Sequence, residues 1–394
     1  MKKINQAIIL AGGLGTRLRP FTYSNPKPMF KFFGKPFLEY LILRLKSEGI
    51  NEIVLLLGYL ADVIVDYFKD GKDFGISIKY SISDQEDLTG ERLIKSKKLL
   101  NDNFILLYCD NYWPLNLDKM TELFYSTNSD AMITVYNNKD NYSKNNLLID
   151  NNNLIVEYDK TRSLENLNGL DIGFILMKKN VIDLIPNGNV SFEKEVYKEL
   201  IKRKKLSGYR TDHKYYSIGS FERIELAKIF FSDKPTIILD RDGVLNVKAP
   251  KADYVKNINE WKWIEGSQEA LILLKKKNYR IVIVSNQAGI ARGKMTENDL
   301  INIHSSINEE LKKNGAEIDK FYYCPHGWDD DCLCRKPKPG MLFQAQRDFN
   351  FDLTKTFFIG DDVRDKEASQ EANSKFVMVN NSYKLIDFVN DYII

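Results

Sequence analysis

The chain has 394 residues, of which 43% are hydrophobic and 28% charged, a composition that is ordinary for a soluble globular protein. A formal net charge of +3 without a basic tail argues against nucleic acid as a partner, and no run of eighteen apolar residues predicts a membrane span. The opening MKKINQAIILAGG is too short and too glycine-interrupted for a signal peptide, so we expect a cytoplasmic location. The length predicts two domains, which we place at residues 1–232 and 233–394.

A glycine-rich segment follows the first predicted strand, Gln6–Leu10. Its glycines would let backbone N–H groups approach a phosphate chain, its threonine adds a hydroxyl donor, and two cations would offset the charge of a polyphosphate. The spacing fits neither the GxxxxGK[ST] nor the GxGxxG fingerprint. The candidate residues are Gly12, Gly13, Gly15, Thr16, Arg17 and Lys27.

The segment AGGLGTRLRPFTYSNPKP resembles the signature of the sugar-1-phosphate nucleotidyltransferases, and the resemblance runs from about Lys3 to Phe231. It implies a doubly wound, Rossmann-like domain of the glycosyltransferase-A type. The glycine-rich loop and Arg17 would hold a nucleoside triphosphate, and Lys27 would steady its α-phosphate. The resemblance also implies that Asp110 binds magnesium and that Lys160 contacts the sugar-linked phosphate.

Three departures from that family stand out. Ser217 occupies the position of a second metal-binding aspartate, and the base-reading segment is reduced to LTGERL, Leu88 to Leu93. Cys109 replaces a usual glycine, and we interpret it as a buried structural thiol. Either the metal is held mainly by Asp110 and the phosphates or the transferase is weakened, and both interpretations stay open.

A second catalytic segment begins with TIILDRDGVLN, Thr236 to Asn246. The apolar run predicts a buried strand, and Asp240 and Asp242 at its carboxyl edge could both reach a bound cation while Gly243 turns the backbone. Later predicted strands also end in polar residues, and Asp361 would complete a magnesium site with help from Asp362 or Asp365. The candidate phosphate-binding residues after the other strands are Ser285, Asn286, Arg292, Arg335 and Lys336.

Four soft or borderline ligands form the pattern C-x-H-x5-C-x-C: Cys324, His326, Cys332 and Cys334. Tetrahedral zinc takes such a set, and a closed four-ligand site is structural. In the preceding predicted helix, Asp299 to Asn314, we interpret His304 as a surface or packing residue rather than a catalytic one.

The order DxD, serine, lysine and GDxxxD resembles the haloacid-dehalogenase-like (HAD-like) phosphatases, and FYYCPH, NQxGIARG and CRKPKPGM narrow the match. From Pro235 to Asn380 the chain is similar to D-glycero-D-manno-heptose 1,7-bisphosphate phosphatases, with histidinol-phosphate phosphatases as relatives. Asp240 would then be the nucleophile and Asp242 the general acid and base, with magnesium, Lys336 and Ser285 offsetting charge. Asp362 stands where a lysine is common.

Together the sequence predicts an α/β chain of two Rossmann-like domains, a bifunctional enzyme of nucleotide-activated heptose synthesis. It would remove the C7 phosphate of the bisphosphate and transfer a nucleotide, GMP from GTP, to heptose 1-phosphate, with Mg²⁺ and Zn²⁺ as metals. Two alternatives stay open: a phosphatase carrying a degenerate regulatory binding domain, and histidinol phosphate as the substrate. Small molecules are the expected partners, and a homo-oligomer is left open.

Overall fold

The computed structural model describes residues 3–250 and 253–394 and divides into two compact units, the first ending at Phe231 and the second beginning at Ser232. Over these residues, no helix combines the length and apolar character that crossing a membrane requires.

The first unit is a mixed α/β domain around a seven-stranded sheet of order β12-β8-β11-β6-β1-β4-β5. β11 runs antiparallel to β6 and β8, and the other pairs are parallel. Its strands are β1 (Gln6–Leu10), β2 (Lys31–Phe32), β3 (Lys35–Pro36), β4 (Glu52–Leu57), β5 (Ser77–Ile82), β6 (Asn103–Tyr108), β7 (Asn111–Tyr112), β8 (Ala131–Tyr136), β9 (Leu147–Ile149), β10 (Ile155–Tyr158), β11 (Leu170–Lys178), β12 (Leu206–Thr211) and β13 (Tyr216–Ser217). Its helices are α1 (Phe37–Ser47), α2 (Ala61–Phe68), α3 (Thr89–Ser96), α4 (Leu117–Ser126), α5 (Phe192–Lys202) and α6 (Phe221–Phe231).

Strand β1 explains why this sheet is covered on both faces. All five of its residues are buried, and successive side chains of a strand point to opposite faces. Ala7 and Ile9 therefore pack into one hydrophobic core and Ile8 and Leu10 into the other. The continuous apolar run thus specifies a central strand, with the glycine-rich loop at its carboxyl end.

The second unit has a five-stranded, wholly parallel sheet of order β16-β15-β14-β17-β18. Its strands are β14 (Thr236–Leu239), β15 (Arg280–Asn286), β16 (Lys320–Cys324), β17 (Phe357–Gly360) and β18 (Lys375–Met378), and its helices are α7 (Ser267–Lys276), α8 (Glu297–Lys313), α9 (Gly340–Phe349), α10 (Val363–Glu371) and α11 (Leu385–Tyr392). Strand order reverses at β14, which lies between β15 and β17. In open α/β sheets the crevice at such a switch point is the usual place for a site. The α/β fold class predicted for both halves is confirmed.

One helix begins earlier than predicted. The sequence places its start at Asp299, whereas α8 starts at Glu297 because Thr296 caps it. The Thr296 hydroxyl accepts from the Asp299 N–H at 3.1 Å, and the Asp299 carboxylate accepts from the Thr296 N–H at 2.8 Å. This reciprocal capping box satisfies two N–H groups that the helix itself cannot pair.

Candidate active sites

The second unit gathers three carboxylates at the carboxyl edge of its sheet. Asp240 follows β14, while Asp361 and Asp365 lie at the end of β17 and the start of α10, and their ligand oxygens all lie within 4.8 Å of one another. Three hard oxygen donors this close form a set that suits magnesium. Burial raises the pKa of Asp240, and the positive charge of Lys336 acts in the opposite direction.

Lys336 is the cation that holds this acidic cluster together. Its Nζ lies 2.8 Å from Asp240 Oδ1 and 2.7 Å from Asp365 Oδ1, and its side chain is 3% exposed. The Lys336 N–H donates to the Asn286 side-chain oxygen, and the Asn286 amide donates to the Lys336 carbonyl, both at 3.0 Å. Asn286, expected to donate to phosphate, therefore uses its amide to brace the lysine loop.

The sequence suggested Asp242 as a metal ligand, but its carboxylate faces other partners. Its carboxylate accepts bonds from Arg241, Asn246 and Gln287, each at 2.9 Å, and lies outside the cluster of three metal-competent carboxylates in the described chain. Burial acts to raise its pKa, but Arg241 and the two amides outweigh burial and lower it. Asp365 takes the place in the acidic cluster that we had given to Asp242.

Gly243 is required by both conformation and space. Its φ is +94°, a region that side chains other than glycine rarely adopt, and a Cβ there would lie 2.0 Å from Asp361 Oδ2. Asp361 also pairs with Lys248 at 2.6 Å. The backbone turn after β14 is therefore pressed directly against a candidate metal ligand.

Asp362 serves the helix rather than the cluster. It caps α10 and accepts two bonds from the Arg364 guanidinium at 2.9 Å, and Arg364 lowers its pKa. Asp365 is buried and accepts the N–H groups of Asp361 and Asp362 at 3.2 and 3.1 Å. Of the two assisting carboxylates considered from the sequence, Asp365 is the one that faces Asp240.

A cavity of about 190 Å³ opens over the cluster. Ser285, Asn286 and Arg335 line it as expected, together with Tyr254 and Trp328, which sequence reasoning missed. Arg292 is not among its lining residues in the described chain. Its guanidinium lies 4.9 Å from the Trp328 ring centre and 5.9 Å from that of Tyr254.

The zinc-type residues come together at the end of β16. Cys324 Sγ lies 3.5 Å from both His326 Nδ1 and Cys332 Sγ, and Cys334 Sγ lies 3.2 Å from His326 Nδ1. The four ligand atoms are all within 4.8 Å of one another. Three sulfurs and one imidazole converging on a single point form the donor set of a closed, tetrahedral zinc site.

In the first unit, a cavity of about 390 Å³ lies at the carboxyl end of β1. The predicted phosphate-binding residues all line it: Gly12, Gly13, Gly15, Thr16, Arg17 and Lys27. Lys27 Nζ lies 2.6 Å from Asp110 Oδ2, so the candidate metal ligand and the candidate phosphate cation face each other. The arrangement can offset charge on a bound polyphosphate.

Ser217 lies beside Asp110, where a second carboxylate would be expected. It pairs with Asn111 across β13 and β7, and the following Ile218 N–H donates to the Asp110 carbonyl at 3.0 Å. The Arg17 guanidinium nitrogens approach to 3.7 and 3.8 Å from a Cβ built on Gly219. A neutral hydroxyl and the Arg17 guanidinium thus both lie close to Gly219.

The predicted sugar-side lysine, Lys160, lies at the surface beside Glu193. Lys160 is 61% exposed, pairs with Glu193 at 3.7 Å, and is not among the residues of the described chain that line the cavity. Glu193 itself is buried and accepts bonds from Thr89 at 3.2 Å and from the Tyr108 hydroxyl. Sequence reasoning did not name Glu193 itself, because nothing in the local pattern separates it from the other glutamates of α5.

Two further residues at this cavity revise the sequence account. Cys109, expected to be buried, is half-buried and lines the cavity, and burial raises its pKa to about 12, so its thiol stays protonated. Arg92, from the LTGERL segment, lines the same cavity and is buried.

His304 is a packing residue, stacked on Phe321 with ring centres 4.1 Å apart.

Comparisons with known proteins follow the same division. Residues 6–149 match the nucleotidyl transferase family model, and residues 236–384 match the polynucleotide kinase 3 phosphatase model. The chain is 41% identical over 143 residues to the D-glycero-β-D-manno-heptose-1,7-bisphosphate 7-phosphatase of Pseudomonas aeruginosa, covering 36% of this chain and 79% of that protein. It is 42% identical over 148 residues to the enzyme of that name from Pasteurella multocida, with the same shares covered.

A solved structure supports the fold of the first unit. It is described as a glucose-1-phosphate thymidylyltransferase from Bacillus anthracis, with 22% identity and a TM-score of 0.51 over 57% of this chain and 93% of that one. At this identity the likeness establishes the fold alone.

Proposed function

Because the second unit belongs to the D-glycero-β-D-manno-heptose-1,7-bisphosphate 7-phosphatase family, and the first is a nucleotidyltransferase domain, we propose one enzyme with two linked reactions. The second unit removes the C7 phosphate of D-glycero-D-manno-heptose 1,7-bisphosphate. The first joins the resulting heptose 1-phosphate to GMP taken from GTP. The observation that carries the proposal is Lys336 set between Asp240 and Asp365, with Asp361 in the same acidic cluster.

In the phosphatase, an oxygen of Asp240 attacks the C7 phosphorus while the bond from phosphorus to the sugar oxygen breaks. The departing oxygen takes its electron pair and a proton from Asp242. Water then attacks the aspartyl-phosphate, Asp242 accepts the water proton, and the Asp240 carboxylate is released with inorganic phosphate. Lys336 offsets the negative charge throughout. When bound by Asp240, Asp361 and Asp365, magnesium would supply further charge neutralisation.

The position of Asp242 sets a condition on this proton transfer. Held by Arg241 with a lowered pKa, its carboxylate is ionised and has no proton to give. Asp242 already lines the cavity over the acidic cluster. We propose that it takes up the proton for acid catalysis only with substrate in place.

In the transferase, a phosphate oxygen of the sugar attacks the α-phosphorus, and the bond to the β-phosphate breaks with release of pyrophosphate. Arg17 and Lys27 offset charge on the triphosphate, and the glycine-rich loop offers backbone N–H groups. Asp110 would hold magnesium, which would neutralise charge on the phosphates. No proton needs to be supplied by the protein in this step.

We propose zinc for the cluster of three cysteines and His326, and magnesium for both carboxylate sites. We also propose the cytoplasm as the place of action, because it supplies nucleoside triphosphates. The product of one unit is the substrate of the other, which gives the fusion its chemical logic.

The test of the transferase is a pyrophosphate-release assay with purified protein, magnesium, heptose 1-phosphate and each of four nucleoside triphosphates. We expect release with GTP, and a Lys27→Ala variant should lose it while phosphate release from the bisphosphate is kept. Ser217 favours a second candidate, a first unit that binds a nucleotide or sugar phosphate without turnover. If none of the four nucleotides gives pyrophosphate while phosphatase activity is intact, the first unit is a binding domain without turnover.

A further inference from the structure

Arg92 is a buried arginine at the transferase cavity to which the proposed function gives no task. It lies on α3 and is 4% exposed. Its Nη1 donates to the Leu57 carbonyl at 2.7 Å and to Ser83 Oγ at 2.8 Å, and its Nη2 donates to the carbonyls of Asp84 and Gln85 at 2.9 and 3.2 Å. Both terminal nitrogens are thus occupied by the protein itself.

The same guanidinium reaches the glycine-rich loop. Nη2 of Arg92 lies 3.3 Å from the Gly12 carbonyl, which also accepts the Tyr59 N–H at 3.2 Å. Because a peptide unit is planar and trans, a carbonyl held in one direction turns the next N–H in the opposite direction. The two bonds to Gly12 therefore fix the orientation of the Gly13 N–H, and a Cβ at Gly13 would meet no atom within 4 Å.

Two glycines from separate segments leave room for the Arg92 guanidinium. A Cβ on Gly12 would lie 2.4 Å from Arg92 Nη1, and a Cβ on Gly58 would lie 2.5 Å from the same atom. Real Cβ contacts are not that short, so an alanine at either place would displace the guanidinium. Gly58 follows β4 and is not a lining residue of the cavity in the described chain.

We propose that Arg92 is a positioning residue of the transferase, holding the Gly12–Gly13 peptide so that the loop presents its N–H groups to the triphosphate. This rests on the proposed transferase function. It assigns a role to the LTGERL segment, which lacks a glycine of the family pattern. Since its terminal nitrogens bond protein acceptors, Arg92 acts on the phosphates through the loop and leaves the choice of base unchanged.

Hydrogen exchange of the ligand-free protein tests the loop directly, without any nucleotide. In Arg92→Ala, we expect amides in residues 12–16 to exchange at least about tenfold faster, because charge-assisted bonds to the backbone are lost. Amides of β8, remote from Arg92, should be unchanged, and Arg92→Lys should recover part of the protection. Unchanged exchange at residues 12–16 in Arg92→Ala would overturn the proposal.

Binding of GTP with magnesium gives a second, independent readout. Arg92→Ala and Gly58→Ala should each weaken binding about tenfold, with the apparent affinity for heptose 1-phosphate kept. The double variant should be no weaker than either single one, because the alanine at 58 has nothing left to displace. Losses that multiply in the double variant, or a changed order of preference among GTP, ATP, CTP and UTP in Arg92→Ala, would refute positioning.

Failure of the proposed function looks different from failure of this inference. If the wild-type protein releases no pyrophosphate while exchange at residues 12–16 still responds to Arg92→Ala, the transferase assignment fails and the positioning role stands. Thermal melting of each variant checks that it is folded. Gly58→Ala keeps every bonding group of the native chain and so remains informative where Arg92→Ala does not fold.

Discussion

Lys336 carries the electrostatics of the phosphatase site. A buried ammonium between two carboxylates, at 2.8 and 2.7 Å, has its positive charge balanced by these two partners. It keeps Asp240, the proposed nucleophile, next to a cation while burial works against the charge of that carboxylate. Asp242, one turn of backbone away, is held ionised by Arg241. Two neighbouring carboxylates thus receive separate environments for separate tasks.

Ser217 permits a gain-of-function test at the transferase site. Since it lies beside Asp110, Ser217→Asp should add an anionic oxygen ligand and lower the magnesium concentration for half-maximal pyrophosphate release, by about tenfold. Ser217→Ala is the control and should leave the magnesium requirement unchanged. A requirement that is the same in Ser217→Asp would mean that the residue does not face the metal.

Because its imidazole is buried, His304 should make the free energy of unfolding depend on pH. Burial and nearby Arg241 lower its pKa to about 3, below the ordinary value of 6.5, so protonation favours the unfolded chain. Its contribution is intact above pH 6.5 and is lost as pH falls toward 3. Between pH 7 and pH 5 the wild type should lose about 2 kcal/mol of unfolding free energy relative to His304→Phe, measured by urea denaturation. Equal losses in the two proteins would contradict a buried, neutral imidazole.

At the scale of elements, the turn after β14 can be tested with a pair of glycines. Gly243→Ala should lower phosphatase kcat/KM by at least about 100-fold, because its Cβ would displace Asp361. Gly315→Ala is the matched control: its φ is also positive, at +77°, but a Cβ there meets nothing within 4 Å. The control should cost about 1 kcal/mol of stability and leave the kinetics intact. Equal effects would show that backbone strain alone matters.

The zinc loop is the second element with a direct test. Cys332→Ser should reduce a zinc content of roughly one ion per chain and lower phosphatase activity, because Arg335 and Lys336 follow the cluster directly. Cys109→Ser, a cysteine of the other unit, is the control and should retain the metal. Atomic absorption and phosphate release measure both effects. Full zinc content in Cys332→Ser would show that this cluster does not hold the zinc.

What the sequence could predict depended on local pattern. The strand β14 ends where its apolar run ends, directly before Asp240, as predicted. The zinc ligands and the glycine-rich loop are short in sequence and were likewise readable. The choice of Asp365 over Asp362, and the position of Glu193, needed tertiary information, because their neighbours come from other strands and helices. The role of Arg92 could not be inferred from the LTGERL segment, because its contacts lie up to 80 residues away in the chain.

At the scale of the whole molecule, the two catalytic centres use separate sets of residues within separate compact units. The activities should therefore be separable by single substitutions. Asp240→Asn should lower phosphate release by at least about 1,000-fold and keep pyrophosphate release from heptose 1-phosphate, and Lys27→Ala should do the reverse. Loss of both activities in either variant would show that the two units depend on each other.

The most direct measurement is a single reaction containing heptose 1,7-bisphosphate as the only sugar, GTP, magnesium and the purified protein. Phosphate and pyrophosphate are followed together. We expect equal amounts of the two products, with phosphate released first, and no pyrophosphate when Asp240→Asn replaces the wild type. Phosphate without pyrophosphate, also when GTP is replaced by ATP, CTP or UTP, would show that one chain does not perform both steps.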